Sequence, residues 1–490
     1  MTASAPDNSA RRVSSKLLKE LEQILPARRI IADERTLRAY ECDGLLLYRD
    51  IPLAAVIPET VEQVQEIMRL SQRMQVPIVP RGAGTGLSAG AMPHPEGILL
   101  NMTAFDRILE LDRASCIARV QPGVSNLSIS AAAREHGLFY APDPSSQIIC
   151  SIGGNVAENS GGVHCLKYGL TVHNVLELTV VTPDGDLITL GGCGLDAPGP
   201  DLVALMTGSE GLLGVVVEVV VRLLPVPTDT AVLVAGFHTV REAGDAVSSL
   251  IAQGVLPAGL EMMDALAIQA AEDFAHAGYP RDAAALLLCE LDGTEEEVTA
   301  LALRSEEYLR SAGAYTVNVA RTEIERERVW RGRKSAFPAV GRLSPDYYCM
   351  DGTIPRGRIA EVLDAIAALA NQYDLRVANV FHAGDGNLHP LILFDAKNSD
   401  EVKRAEALGA AILELSVEMG GSITGEHGVG LEKLPQMEAQ FEREALLQFE
   451  ELKAAFDPEL RMNPGKGIPV LKRCQEYKAL PARHDHSQCS

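Results

Sequence analysis

The sequence predicts an α+β protein with two large domains. Three observations carry this. Of 490 residues, 47% are apolar and 22% charged, the balance of a chain that fills a globular core. The N-terminal half opens in a strand–helix–strand pattern, then becomes short apolar runs parted by Gly and Pro turns. Beyond Pro225-Val226-Pro227, strand-like runs alternate with amphipathic helices, the texture of an antiparallel sheet covered by helices.

The elements follow in order. The first dozen residues are polar and expected to fray. Leu17, Leu18, Leu21 and Leu25 recur at helical spacing, which places a helix over 15–25. Residues 52–57 read as a strand. A helix over 60–74 follows, with Thr60 as its cap and Glu62 and Gln63 in the first turn. The strand 77–80 runs directly into a glycine-rich loop. Further strands are expected at 116–121, 175–182, 186–190 and 213–224, with Pro183-Asp184-Gly185 as a hairpin turn. The second half offers strands at 232–237, 284–291 and 376–381, and helices at 240–252, 295–312, 358–373 and 403–419. The tail from Leu471 is polar and expected to be loose.

Charge and cysteine usage exclude several classes. Lys and Arg total 44 against 66 Asp and Glu, a net charge of −22. That surface repels a nucleic-acid backbone and an anionic membrane. Any anionic ligand must be held by local positive groups against the global field. Nine cysteines are scattered with no Cys-x-x-Cys, so a cysteine zinc site or a ferredoxin-like iron–sulfur cluster is not expected. Free thiols fit a reducing compartment. The N-terminus lacks an apolar signal region, and no apolar stretch reaches the ~18 residues of a membrane span. A cytoplasmic protein, touching a membrane only through partners, is expected.

Six motifs bear on chemistry. Pro80-Arg81-Gly82-Ala83-Gly84-Thr85-Gly86 continues through Leu87 and Ser88 to Gly90, and brings backbone N–H groups close together in a nest suited to phosphate. It is neither a Walker A loop nor a good dinucleotide fingerprint, since Leu87 stands where a third Gly belongs. A plain glycine-rich turn is the alternative. Pro142-Asp143-Pro144-Ser145-Ser146, followed by a stretch with Gly153, Gly154, Asn155, Gly161 and Gly162, offers a second backbone-rich surface. It suits the edge of a flat ring such as a flavin, or is an irregular surface loop. His382 and His389 flank a glycine-containing turn, where two imidazoles can converge on one metal ion. Glu426 and His427 are adjacent in Gly425-Glu426-His427-Gly428; Glu426 can complete a metal site and His427 can serve as a base. A helix-capping Glu beside a surface His is the bland reading. Trp330-Arg331-Gly332-Arg333-Lys334 is a basic cluster whose arginine forks match a carboxylate, or a solvated face. Asn463-Pro464-Gly465-Lys466 is turn-like and uninformative alone.

As a set, these motifs resemble the FAD-linked oxidase family, with its vanillyl-alcohol-oxidase/p-cresol-methylhydroxylase-type flavin domain. The carrying residues are PRGAGTGLSAG from Pro80, PSSQIICSIGGNVAENSGG from Pro144, HAGDGNLH from His382, GEHGVG from Gly425 and NPGKG from Asn463. The resemblance spans roughly 32–468, with the motifs in the family's order. It implies a flavin domain of two α+β subdomains and a substrate-binding cap with an antiparallel sheet and helices. The expected organisation is an N-terminal helical segment (1–50), a FAD-binding domain (51–228), a cap with the metal and catalytic motifs (229–455), and a segment returning to the FAD domain (456–490).

The resemblance also implies roles. Pro80, Arg81, Gly82, Ala83, Gly84, Thr85 and Gly86 cradle the FAD pyrophosphate. Pro144, Ser145, Gly153, Gly154, Asn155, Gly161 and Gly162 line the path from adenine to isoalloxazine, joined by Glu210, Gly211 and Asn463. His382, His389 and Glu426 match ligands of a divalent metal (Zn, Mn or Fe), His427 the catalytic base, and Arg333 a substrate-carboxylate arginine. Non-covalent FAD is expected, because RGAGTG holds no His or Cys. Cys349 and Met350 stand where relatives carry a second substrate cation, which favours a small monocarboxylate. The expected reaction is FAD-dependent oxidation of a short 2-hydroxy acid, glycolate to glyoxylate. D-lactate oxidation, a non-catalytic flavin electron-transfer subunit and a flavin-free metal hydrolase are the rivals. The expected partners are a second FAD-domain subunit and an iron–sulfur subunit.

Overall fold

The structure, a computed structural model, describes residues 8–194 and 198–470, with side chains from residue 15. The expectation for the tail from Leu471 lies outside the described residues. The first helix is Asn8–Ile24 and begins before the apolar spacing does, so it takes in the last part of the polar run expected to fray, while residues 1–7 of that run lie outside the described residues. Nothing after Pro6 in that polar run breaks a helix. Leu17 and Leu21 are fully buried against Val64, Ile67 and Met68 of the helix Val61–Met74. Thr60 caps that helix, accepting from Gln63 N at 3.3 Å while the Gln63 side chain accepts from Thr60 N.

The N-terminal half holds two main sheets, besides a two-stranded pairing of Leu138–Phe139 with Leu224–Pro225. The first runs Ile30–Ile31, Ala54–Val56, Ile98–Asn101, Ile78–Arg81, parallel except at its first pair. The second is antiparallel, in the order Ile108–Asp112, Ile117–Val120, Val215–Arg222, Val175–Val181, Leu187–Gly191. Gly185, at φ 86°, makes the tight turn between its last two strands.

The second half is one seven-stranded antiparallel sheet. Its order is Thr316–Ala320, Asp229–Phe237, Ala285–Gly293, Gly259–Asp264, Arg376–His382, Pro390–Phe394, Asp346–Cys349. Alternate side chains enter separate cores. Leu233, Ala235 and Phe237 meet the helices Val240–Ala252, Glu295–Ser311, Ile359–Gln372 and Ser399–Glu418. Val232 and Val234 meet Ala265–Ala275, Glu323–Lys334 and Ala336–Val340. The central strand Gly259–Asp264 and the helix Glu323–Lys334 are absent from the sequence reading. The first hides a carboxylate in an apolar run, and the second is charged nearly all round.

Candidate active site

Period-two alternation decides which side chains can meet. On Gly259–Asp264, Leu260 and Met262 join one core and Met263 the other, so Glu261 points to the face covered by the helix Glu323–Lys334. Glu261 lies directly opposite His382 on the next strand, and such pairs share a face. Leu391 and Leu393 belong to the same side, which places His389 there as well.

Three groups converge on this face. His389 Nε2 is 3.0 Å from Glu426 Oε1, and His382 Nε2 is 3.5 Å from the same oxygen. Two imidazole nitrogens and a carboxylate oxygen, their atoms within 4.8 Å of one another, form a donor set that fits a divalent ion. His382 Nε2 is buried without a hydrogen-bond partner and turned toward that set. Burial opposes charge on His382, yet Glu261 and Glu426 hold its pKa well above the ordinary histidine range. His389, also against its burial, is held at about 10 by Cys349 and Glu426. Glu426, although buried, is held well below the carboxylate range by the two imidazoles. A metal ion bound to this set would supply the positive charge that protons otherwise bring.

His427 stacks on His389 with ring centroids 5.2 Å apart and planes 11° from parallel. Its Nε2 is 3.9 Å from Glu426 Oε1, and its Nδ1 is 4.0 Å from Asp351 Oδ2. Burial pulls its pKa down to about 4, against the opposite pull of Asp351. Asp351 anchors the whole loop. It is fully buried and accepts from Thr424 Oγ1 at 2.7 Å, His427 N at 2.9 Å, Asn387 Nδ2 at 2.9 Å and Lys433 Nζ at 2.9 Å.

Arg333 is 3% exposed. Its Nε donates to Glu261 Oε2 at 2.8 Å, and its Nη2 is 2.6 Å from that oxygen. The basic cluster is therefore no solvated face at this residue. Trp330 of the same helix donates from Nε1 to Glu290. Sequence reasoning missed Glu261 and Asp351 as site residues. The Thr322-x-x-Glu325 capping box marks where the helix carrying Arg333 begins.

The two glycine-rich loops form one surface beside these residues. A Cβ on Gly82 would fall 2.1 Å from Ser151 Oγ, so only glycine lets the loops touch. Among the described residues, no backbone N–H from Ala83 to Leu87 donates to a backbone carbonyl, the condition an anion nest needs. Arg81 itself turns inward to the carbonyls of Cys42 and Ala91, at 2.7 and 3.3 Å. The second loop is not the irregular surface loop of the alternative reading. Ile152–Glu158 is a short helix capped by Ser151, and it carries Gly153, Gly154 and Asn155. Pro122 leaves no room for a Cβ at Gly153. The N–H groups of Ile152 and Gly153 bind Val124 and Pro122 carbonyls, and that of Gly154 binds Ser151 Oγ.

Other expected residues knit the two halves together. Pro144 is buried and Ser145 exposed. Gly211 packs on Pro80. A Cβ on Gly161 would fall 2.7 Å from Glu426 Oε2, and one on Gly162 2.4 Å from the Asp143 carbonyl. Glu210 accepts from Val429 N and Gly430 N at 2.7 and 2.6 Å, tying the N-terminal half to the loop of Glu426. Asn463 Nδ2 donates to the carbonyls of Gly90 and Glu210. Buried Asp43 Oδ2, Ser88 Oγ, Asn155 Nδ2 and Glu158 Oε2 have no partner. Donors and acceptors orphaned beside an open backbone nest fit a flavin's polar edge and ribityl hydroxyls.

Residues 52–191 match the family described as "FAD binding domain", and residues 226–467 match "FAD linked oxidases, C-terminal domain". The chain belongs to the FAD-linked oxidase family. Among relatives of this FAD-linked oxidase, "Glycolate oxidase subunit GlcD" of Escherichia coli (strain K12) is 58% identical, over 96% of this chain and 95% of the relative. The protein of that name from Bacillus subtilis (strain 168) is 42% identical, over 87% and 91%. "D-lactate dehydrogenase" of Anaerostipes hadrus is 30% identical, over 93% and 98%. The fold is that of p-cresol methylhydroxylase with substrate bound (TM-score 0.80, 17% identity, 95% of this chain and 98% of that one). It is shared with 4-ethylphenol oxidase from Gulosibacter chungangensis (TM-score 0.78, 16% identity, 96% and 100%). The protein is thus an FAD-dependent oxidoreductase of the hydroxyacid-oxidising group. No helix among the described residues is long and apolar enough to cross a membrane.

Proposed function

We propose that this FAD-linked oxidase oxidises glycolate to glyoxylate as the flavin subunit of a larger complex. The observation that carries the reading is the 58% identity to a glycolate oxidase subunit along 96% of the chain. Relatives named for D-lactate stand at 30 to 33%. Bound FAD supplies the acceptor for the hydride leaving the substrate carbon, and a divalent ion held by His382, His389 and Glu426 supplies a charge that acidifies the hydroxyl. Arg333, on the same face, binds the carboxylate. His427 is neutral near pH 7, because burial holds its pKa at about 4, and it takes the hydroxyl proton at Nε2. Its Nδ1 faces Asp351, which stabilises the imidazolium so formed. Pro80 to Gly86, Gly153 to Asn155, Gly161, Gly162, Gly211 and Asn463 hold the FAD, with Glu210 fixing the loop of His427 against it.

The nine scattered cysteines offer no iron–sulfur motif. Electrons then leave for partner subunits, one with a second FAD domain and one with iron–sulfur centres. Anaerobic glycolate should bleach the flavin absorbance of the purified protein faster than D-lactate does. A clear preference for D-lactate overturns the substrate assignment, and no bleaching by any 2-hydroxy acid leaves an electron-transfer subunit.

A further inference from the structure

Glu261 is fully buried in the centre of the seven-stranded sheet, and an unpaired carboxylate there is strongly disfavoured. Both of its oxygens are engaged, each by a different functional group. Oε1 is 2.7 Å from His382 Nδ1, and Oε2 is 2.8 Å from Arg333 Nε. His382 Nε2, on the far side of the ring, has no hydrogen-bond partner and lies 3.5 Å from Glu426 Oε1. We propose that Glu261 is a positioning residue that ties the metal-ligand histidine to the substrate arginine. The inference rests on the metal reading above and adds to it a residue that touches neither metal nor substrate.

The physical case has three parts. A carboxylate accepts only, so the Nδ1 beside it carries the proton, and Nε2 keeps its lone pair for the ion. The cross-strand pairing of Glu261 with His382 fixes the ring's position through the backbone of two adjacent strands, more rigidly than a loop residue does. Arg333 neutralises Glu261, so the buried anion holds the imidazole without drawing the ion to itself. In return Glu261 orients the guanidinium. The distance from the metal ligand to the carboxylate-binding arginine is thereby set by one side chain.

A glutamine at 261 keeps the shape but cannot serve both neighbours. Its amide N–H₂ must face either His382, forcing the proton onto Nε2, or the Arg333 donor. The test is Mn²⁺ titration of FAD-loaded, metal-stripped protein, followed by electron paramagnetic resonance. The wild type should bind one Mn²⁺ per chain, and Glu261→Gln should bind it about 10- to 100-fold more weakly with its FAD content unchanged. Wild-type affinity in Glu261→Gln overturns the positioning role. No uptake by the wild type overturns the metal reading itself, and this inference with it. A second measurement needs no variant. In wild-type protein loaded with ¹¹³Cd, nitrogen NMR should show His382 bound through Nε2 with Nδ1 protonated. Binding through Nδ1 sinks the proposal even if the variant fails to fold.

Discussion

His164 Nε2 lies 2.8 Å from Glu290 Oε1, and this contact joins the N-terminal half of the protein to the seven-stranded sheet. The other ring nitrogen of His164 is 2.8 Å from Asp143 Oδ2. Burial opposes charge on the imidazole, but the two carboxylates hold its pKa well above 6.5. Glu290, despite burial, is held below the carboxylate range by His164 and by Trp330. A histidine whose folded pKa is raised stabilises the fold fully below its unfolded pKa of about 6.5 and stops doing so as pH rises through the folded value. Glu290 works the other way, losing its contribution as pH falls below the carboxylate range. The difference in Tm between the wild type and His164→Gln should therefore be largest near pH 6 and shrink toward alkaline pH. A difference that stays constant across that range refutes the assignment.

Removing the base tests the chemistry. His427→Ala should lower kcat for glycolate about 10²–10⁴-fold while FAD remains bound. Its imidazole makes no side-chain hydrogen bond through Nδ1, so the fold should tolerate its loss. Steady-state kinetics with a flavin spectrum of the same sample decide the matter, and near-normal turnover removes His427 from the mechanism.

Metal removal is the third test. Dialysis against a strong chelator should abolish glycolate turnover without changing flavin absorbance, and adding back Zn²⁺, Mn²⁺ or Fe²⁺ should restore it. His389→Ala should lose the ion by elemental analysis, since His389 Nε2 is the nitrogen nearest Glu426. Full activity in protein shown to be metal-free contradicts the reading.

Asp351 is the fourth. It receives donors from Asn387, Thr424, Lys433 and the backbone of the Glu426-His427 loop. Asp351→Asn leaves the fully buried Lys433 ammonium without its counter-charge, which costs about 3–5 kcal/mol when a buried pair is broken. Urea unfolding should show that loss. A loss under about 1 kcal/mol places the loop's order elsewhere, since breaking such a pair is expected to cost several times that.

Much of the fold was legible because periodicity is local. The helix Val61–Met74 follows from its apolar spacing and the Thr60 cap, and the hairpin at Gly185 from its turn residues. The helix Glu323–Lys334 was not legible, since its charges surround it and only Val329, Gly332 and Arg333 are buried. The glycines at 153 and 154 pointed to a loop, whereas Ser151 caps a helix there and Pro122 excludes larger side chains.

The candidate site divides the same way. Sequence by itself determined the donor types: two imidazoles across one turn, a carboxylate beside a third imidazole, and two glycine-rich runs, all set within an exterior of charge −22. Only the tertiary structure decided that they come together in space. Glu261 meets His382 across 121 positions and Arg333 across 72. Asp351 reaches Lys433 across 82. Such contacts arise from strand order and side-chain alternation in a folded sheet, which no local pattern encodes. A glutamate between Leu260 and Met262 carries no local sign of the face it will take. The sheet makes it a buried anion whose two oxygens must both be paired.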